Sequence, residues 1–216
     1  MAFRNRVEAG RHLAAALESY KDRHPVILAL PRGGVPVAAE VAESLGAPLD
    51  LVLVRKIGAP LQPELAMGAV VDADPPIVVR NEDVIRMDGI SEAQFNAVRD
   101  RELVEIARRR ALYLGDRNRA PITGKTAIIV DDGVATGATT RAALRGVRAQ
   151  KPERLVLAVP VAPTEIIHEL RREADEVVCL EDHAFFGAIG YYYGDFSQVS
   201  DEEVKALLAR FPAQDD

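Results

Sequence analysis

The segment AIIVDDGVATGATT, residues 127–140, constrains this chain more than any other. Ala127, Ile128, Ile129 and Val130 form the short, continuously apolar run expected of a parallel strand covered on both faces. Asp131 and Asp132 stand at its carboxyl end. Gly133, Ala135, Thr136, Gly137, Ala138, Thr139 and Thr140 then supply small residues and hydroxyls where a helix begins. Free N–H groups and the helix dipole would face one anionic group there, and a phosphate monoester fits that description.

Two carboxylates beside an anion loop would repel a phosphate unless they met another part of the ligand. Vicinal hydroxyls satisfy that condition, because a carboxylate accepts charge-assisted hydrogen bonds from hydroxyl donors. Asp131 and Asp132 can thus hold a ribose 2′,3′-diol while the loop holds a 5′-phosphate. An Asp-Asp pair alone would suit an ordinary strand-to-helix turn with solvated carboxylates. The pattern over residues 127–139 is much more restrictive: four apolar residues, two aspartates, three spacers and Thr-Gly-Ala-Thr. It resembles the phosphoribosyl-diphosphate signature of type I phosphoribosyltransferases. No Gly-Lys-Ser/Thr follows the strand as in a Walker loop, and no G-x-G-x-x-G opens a dinucleotide site.

A second loop follows the apolar run Pro25–Leu30. In PRGGVPVA, Gly33 and Gly34 permit close backbone approach to a ligand, and Arg32 adds a fixed cation at the start of a helix expected over 35–45. The resemblance implies a pyrophosphate loop here, often with an unusual peptide geometry before its Arg or Lys. A third element, LVLVRKIGAPLQPELAMGAV, puts Arg55 and Lys56 after an apolar strand, where open α/β sheets place ligand groups. Gly58, Pro60 and Pro63 predict a mobile loop over 57–66 that closes on the site. By likeness to adenine phosphoribosyltransferases, Arg55 and Lys56 face pyrophosphate, and Glu64 in the loop is a candidate to touch the nucleophile.

Alternating patterns predict strands at 26–30, 49–54, 67–71, 76–79, 126–131, 154–160 and 175–180, with helices at 8–21, 35–45, 138–150, 163–172 and 200–210. A helical insertion spans about 81–118, its main helix opening at Ser91 and Gln94 and ending near Gly115. Phe95, Val98, Ile106 and Tyr113 share one face of it, interrupted by Glu102. Arg108, Arg109 and Arg110 read first as a solvated face, with contact to an anionic partner as the alternative, and the insertion is also of a kind that serves as a dimerisation arm.

The chain, residues 1–216, is expected to form one α/β domain: a mainly parallel sheet flanked by helices, with this insertion and a small C-terminal cap over about 181–216. Six of the eleven Phe and Tyr residues fall between positions 185 and 196 of that cap, either as an aromatic mini-core or, at Phe185 and Phe186, as a stacking platform for a planar base. A net charge of −6 disfavours a nucleic-acid partner, so an anionic substrate must be met by local cations. The single cysteine, Cys179, reads as a small buried hydrophobe. No apolar run approaches the ~20 residues of a membrane span, and the amino terminus is too charged for a signal peptide, so a cytoplasmic protein is expected.

The resemblance covers most of the chain. It implies displacement at the anomeric carbon of 5-phospho-α-D-ribose 1-diphosphate by a small nitrogenous base, with release of pyrophosphate. It also implies Mg²⁺ held mainly by ligand oxygens, with Asp131 and Asp132 able to reach it through water. A homodimer stays open. Where relatives acting on 6-oxopurines carry an aspartate before Thr-Gly, this sequence has Ala135, which points to an adenine-like, pyrimidine or unusual acceptor. The alternative is a catalytically weak regulatory protein that binds phosphoribosyl diphosphate. A pyrophosphate-transferring synthetase would need an ATP site and a duplicated domain.

Overall fold

The computed structural model describes residues 3–211. Its centre is a five-stranded parallel sheet in the order β2-β1-β6-β7-β8, where β1 is Val26–Ala29, β2 Leu49–Leu51, β6 Thr126–Val130, β7 Arg154–Pro163 and β8 Glu176–His183. The fully apolar runs of β1 and β6 are buried on both faces, as continuous Val/Ile/Leu strands demand. On one face lie α1 (Arg6–Ala16), α2 (Gly34–Leu45) and α7 (Asp201–Ala209). On the other lie α5 (Ala138–Ala149) and α6 (Thr164–Leu170). Gly10 lets α1 cross α2 closely, since a β-carbon there would fall 2.8 Å from the Val37 carbonyl oxygen.

The expected strand at 49–54 is two strands. β2 ends at Leu51, and after Val52 and Leu53 the chain enters β3 (Val54–Gly58), which pairs antiparallel with β4 (Ala66–Val71), itself antiparallel to β5 (Ile77–Arg80). The apolar run Leu51–Val54 continues through the change of sheet, so hydrophobicity alone carries no sign of it. This three-stranded sheet is sandwiched between α5 and the long helix α4 (Glu92–Leu114). The loop expected over 57–66 is shorter, 59–65. It is a tight hairpin end in which the Ala59 amide donates to Leu65 and the Leu65 amide to Gln62. The insertion comprises α3 (Glu82–Met87) and α4, and the Ser91–Gln94 capping box is formed. The helix expected over 8–21 stops at Ala16 and continues as a short 3₁₀ turn over Glu18–Arg23. No helix of the described residues is long and apolar enough to cross a membrane.

Candidate active site

Parallel pairing of β1 with β6 brings the loops that follow them to the same end of the sheet, side by side, where the strand order reverses. The Leu30 amide donates to Val130 at 2.9 Å and extends that pairing into the loops. The Pro31–Arg32 peptide is cis, and α2 begins at Gly34. A β-carbon at Gly33 would lie 2.0 Å from Oδ2 of Asp132, and one at Gly34 2.7 Å from the Val130 carbonyl oxygen. The glycines expected to make room for a ligand thus also make room for the aspartate loop, and the two loops form one wall.

In that wall Gly137 takes the left-handed conformation, φ 73°, and α5 starts directly after it. Ala135, Thr136, Ala138 and Thr139 are exposed around the free amides of the first turn, whereas Gly133 and Thr140 are buried. Asp131 is half-buried and Asp132 buried. Burial raises the Asp131 pKa well above the usual carboxylate range, and the Asp132 charge beside it adds to the rise. Burial also raises Asp132, opposed by Arg6, whose Nε donates to Oδ2 at 2.7 Å. Arg6 in turn lies over the Phe196 ring, 3.9 Å from its centroid, and donates to the Ser197 carbonyl at 2.8 Å. The Tyr193 hydroxyl donates to the Asp132 carbonyl at 2.5 Å.

The two aspartates are therefore unequal. Asp132 is buried and committed to Arg6, whereas Asp131 is half-buried, has no cation within ion-pair distance among the described residues, and accepts from the Asp132 amide at 2.9 Å. Arg6, Tyr193 and Ile189, whose Cγ2 would be 2.7 Å from a β-carbon at Gly133, escape sequence reasoning because they lie far from the loop in the chain. Ion pairs joining remote segments leave no periodic signal.

The candidate cations are also partnered. Arg32 lies 3.6 Å from Asp201 at the start of α7, and Asp201 accepts from the Tyr113 hydroxyl at 2.6 Å. Arg55 pairs with Val70 across the hairpin, on the face covered by α4, and its Nε donates to Glu102 at 2.8 Å. This explains the carboxylate interrupting the apolar stripe. Lys56 sits opposite Ala69 on the other face, which borders a cleft of about 490 Å³ against Ala138 and Arg141 of α5. Side-chain alternation thus separates a pair expected to act together, and Lys56 alone points to the α5 side. Its Nζ donates to Glu64 at 2.9 Å, and Glu64 is 99% exposed at its side chain.

The cap is largely an aromatic mini-core. Phe3, Ala9, Val161 and Tyr193 are buried together, with Phe186, Tyr192 and Phe196 packed against them. Phe186 stacks on Tyr192 at 4.9 Å, and Tyr192 stacks on His183 at 4.5 Å. Phe185 is 96% exposed and, among the described residues, joins no such stack, so the two candidates for base recognition are separated. Cys179 is half-buried, and burial pushes its thiol up to about 12.

The family model described as "Phosphoribosyl transferase domain" matches residues 3–194. Two Mycobacterium tuberculosis proteins, "Putative phosphoribosyl transferase Rv0571c" of strain H37Rv and "Putative phosphoribosyl transferase MT0597" of strain CDC 1551, are each 48% identical over 208 residues. These alignments cover 96% of this chain and 46% of each relative, so the chain spans about half the length of the curated relatives it matches. The crystal structure of TT1426 from Thermus thermophilus is similar throughout: 43% identity, a TM-score of 0.88, and coverage of 99% of this chain and 100% of that one.

Proposed function

We propose, from the premise that this chain belongs to the phosphoribosyl transferase domain family, that it transfers the phosphoribosyl group of 5-phospho-α-D-ribose 1-diphosphate to a small nitrogenous base and releases pyrophosphate. The α/β fold is type I phosphoribosyltransferase-like, and the proposed activity is a pentosyl transfer of nucleotide salvage in the cytoplasm. One observation carries the reading: two loops, each opening a helix, meet at the strand-order reversal with Asp131 between them.

In this reading the 5′-phosphate sits on the first-turn amides of α5 with the Thr139 hydroxyl, and Asp131 accepts from the ribose hydroxyls. Arg32, the amides near Gly33 and Gly34, and Lys56 meet the pyrophosphate, while Arg55 anchors the hairpin to α4. The bond from C1′ to the pyrophosphate oxygen breaks as that oxygen takes the electron pair. A ring nitrogen of the base then bonds to C1′ and loses its proton, for which Glu64 is the candidate acceptor. Cations at the leaving group stabilise the charge that develops there. A hairpin end drawn over the crevice would shield the cation-like ribose from water.

Among the described residues no group of three or more His, Cys, Asp or Glu side chains gathers to cage a metal. With Asp132 paired to Arg6, Asp131 is the protein carboxylate suited to hold Mg²⁺ through water. This donor set fits an ion carried mainly by ligand oxygens. When bound, Mg²⁺ would neutralise charge on the diphosphate.

Ala135 offers no side-chain hydrogen bond to a purine edge, so hypoxanthine, guanine and xanthine should be poor acceptors. The test is incubation with phosphoribosyl diphosphate, Mg²⁺ and a panel of bases, measuring pyrophosphate and nucleotide together. Nucleotide formed in step with pyrophosphate is the expected result. Guanine or hypoxanthine turnover at kcat/KM near ~10⁴ M⁻¹s⁻¹ would overturn the argument from Ala135. Binding without turnover on any base would replace transfer with sensing.

A further inference from the structure

Helix α4 turns Phe95, Val98, Glu102, Ile106, Arg109 and Tyr113 to one side, each three or four residues after the last. Two of the six are charged. Glu102 is explained by Arg55, 2.8 Å away on the hairpin. Arg109 is different: among the described residues its ion-pair partner is Glu105, one turn back on the same helix, at 2.8 Å. Arg108 shares that carboxylate at 2.8 Å. Two guanidinium groups on one carboxylate hold the Glu105 pKa down to about 2 and leave positive charge in excess.

The placement of that excess is informative. Arg109 lines a cavity of about 20 Å³ with Leu30, Pro31, Val52, Val54 and Thr139. Pro31 belongs to the loop before α2, and Thr139 to the first turn of α5. The side chain therefore enters the wall between the two anion-binding loops. One turn further on, the Tyr113 hydroxyl donates to Asp201 at 2.6 Å, and Arg32 lies 3.6 Å from the same carboxylate, so Arg32 reaches the end of α4 that carries Arg109. A partly buried cation with half a carboxylate as its partner is well placed to meet a ligand anion.

We propose that Arg109 binds the pyrophosphate group of phosphoribosyl diphosphate together with Arg32, so that the helical insertion completes the anion site. This rests on the reading of the crevice given above. Arg109 then takes the place that Arg55, tied to Glu102, does not fill.

Calorimetric titration of the full chain with Mg²⁺ and phosphoribosyl diphosphate, and separately with ribose 5-phosphate, tests this. Arg109→Ala and Arg109→Gln should each weaken phosphoribosyl diphosphate by about tenfold or more, as expected for a charged hydrogen bond, and ribose 5-phosphate by less than about twofold. Arg108→Ala should change neither by more than about twofold. The Gln variant keeps much of the packing stem and serves if the Ala variant fails to fold. Unchanged affinity in folded Arg109→Gln, equal losses for both ligands, or an equal loss in Arg108→Ala would each overturn the assignment. Wild-type protein that binds neither ligand would overturn the underlying reading instead.

Discussion

The two sides of the crevice hold their charges by different means. On the side of the 131–137 loop, Asp132 is buried with Arg6, and that arginine is itself enclosed by Phe196 and Ser197. On the hairpin side, Lys56 is held by a fully exposed Glu64. Buried pairs are costly to break because one ion is left without a partner, whereas exposed pairs contribute roughly 0–1 kcal/mol. The first side is a fixed frame, which in the proposed function holds the sugar, and the second carries a charge that an arriving anion would take over.

Arg6→Ala should give the largest effect. It leaves Asp132 buried and unpaired, which costs about 3 kcal/mol or more. For a chain of this size that lowers the thermal midpoint by roughly 6–12 °C. Thermal melting monitored by circular dichroism would show it. A fall of under about 2 °C would mean that Asp132 is not locked, and the contrast between the two sides would vanish.

That lock also marks where the sequence stops being legible. The strand and loop from Ala127 to Thr140 are readable because buried strands, glycine turns and helix starts are local events with local signatures. Asp131 and Asp132 look equivalent there. Their inequality comes from Arg6, 126 positions away, and Tyr193, 61 positions away, brought in by folding. The hairpin resists reading for a related reason. Leu51–Val54 is apolar throughout, yet it leaves a parallel sheet and enters an antiparallel one, and its change of partner is decided by α4 and α5 packing on either face. Glu102 looks like a flaw in an apolar stripe until Arg55 is seen opposite it.

Asp131→Asn sharpens the comparison from the frame side with a smaller effect and an opposite sign for stability. Burial and the neighbouring Asp132 raise the folded-state pKa of Asp131 above its unfolded value. Its contribution to stability is then fully present below the unfolded value, about 3.9, and is lost as pH rises through the folded value. Replacing the carboxylate by an amide should raise the melting temperature of the ligand-free protein at neutral pH, and the gain should shrink as pH falls toward 4. Affinity for phosphoribosyl diphosphate should drop by roughly five- to tenfold, because charge-assisted bonds to the ribose become neutral ones worth about 1 kcal/mol less. A stable variant with unchanged affinity would remove Asp131 from the sugar site.

Glu64→Gln probes the other side and should give the smallest change. The carboxylate is exposed, the hairpin end is held by its own backbone bonds, and Gly58 packs closely enough on Pro63 that an added β-carbon would lie 2.4 Å from its carbonyl oxygen. Loss of the ion pair should therefore move the melting temperature by less than about 3 °C, the equivalent of under 1 kcal/mol. The direction for ligand binding is the sharper test. If Lys56 is a cation awaiting the pyrophosphate, releasing it from Glu64 should strengthen binding by up to about fivefold, the equivalent of that same 1 kcal/mol. Calorimetric titration beside Lys56→Ala, which should weaken binding, separates the two roles. If Glu64→Gln instead binds more weakly, the carboxylate itself holds the ligand or its metal in the ground state. The hairpin would then be a second part of the fixed frame.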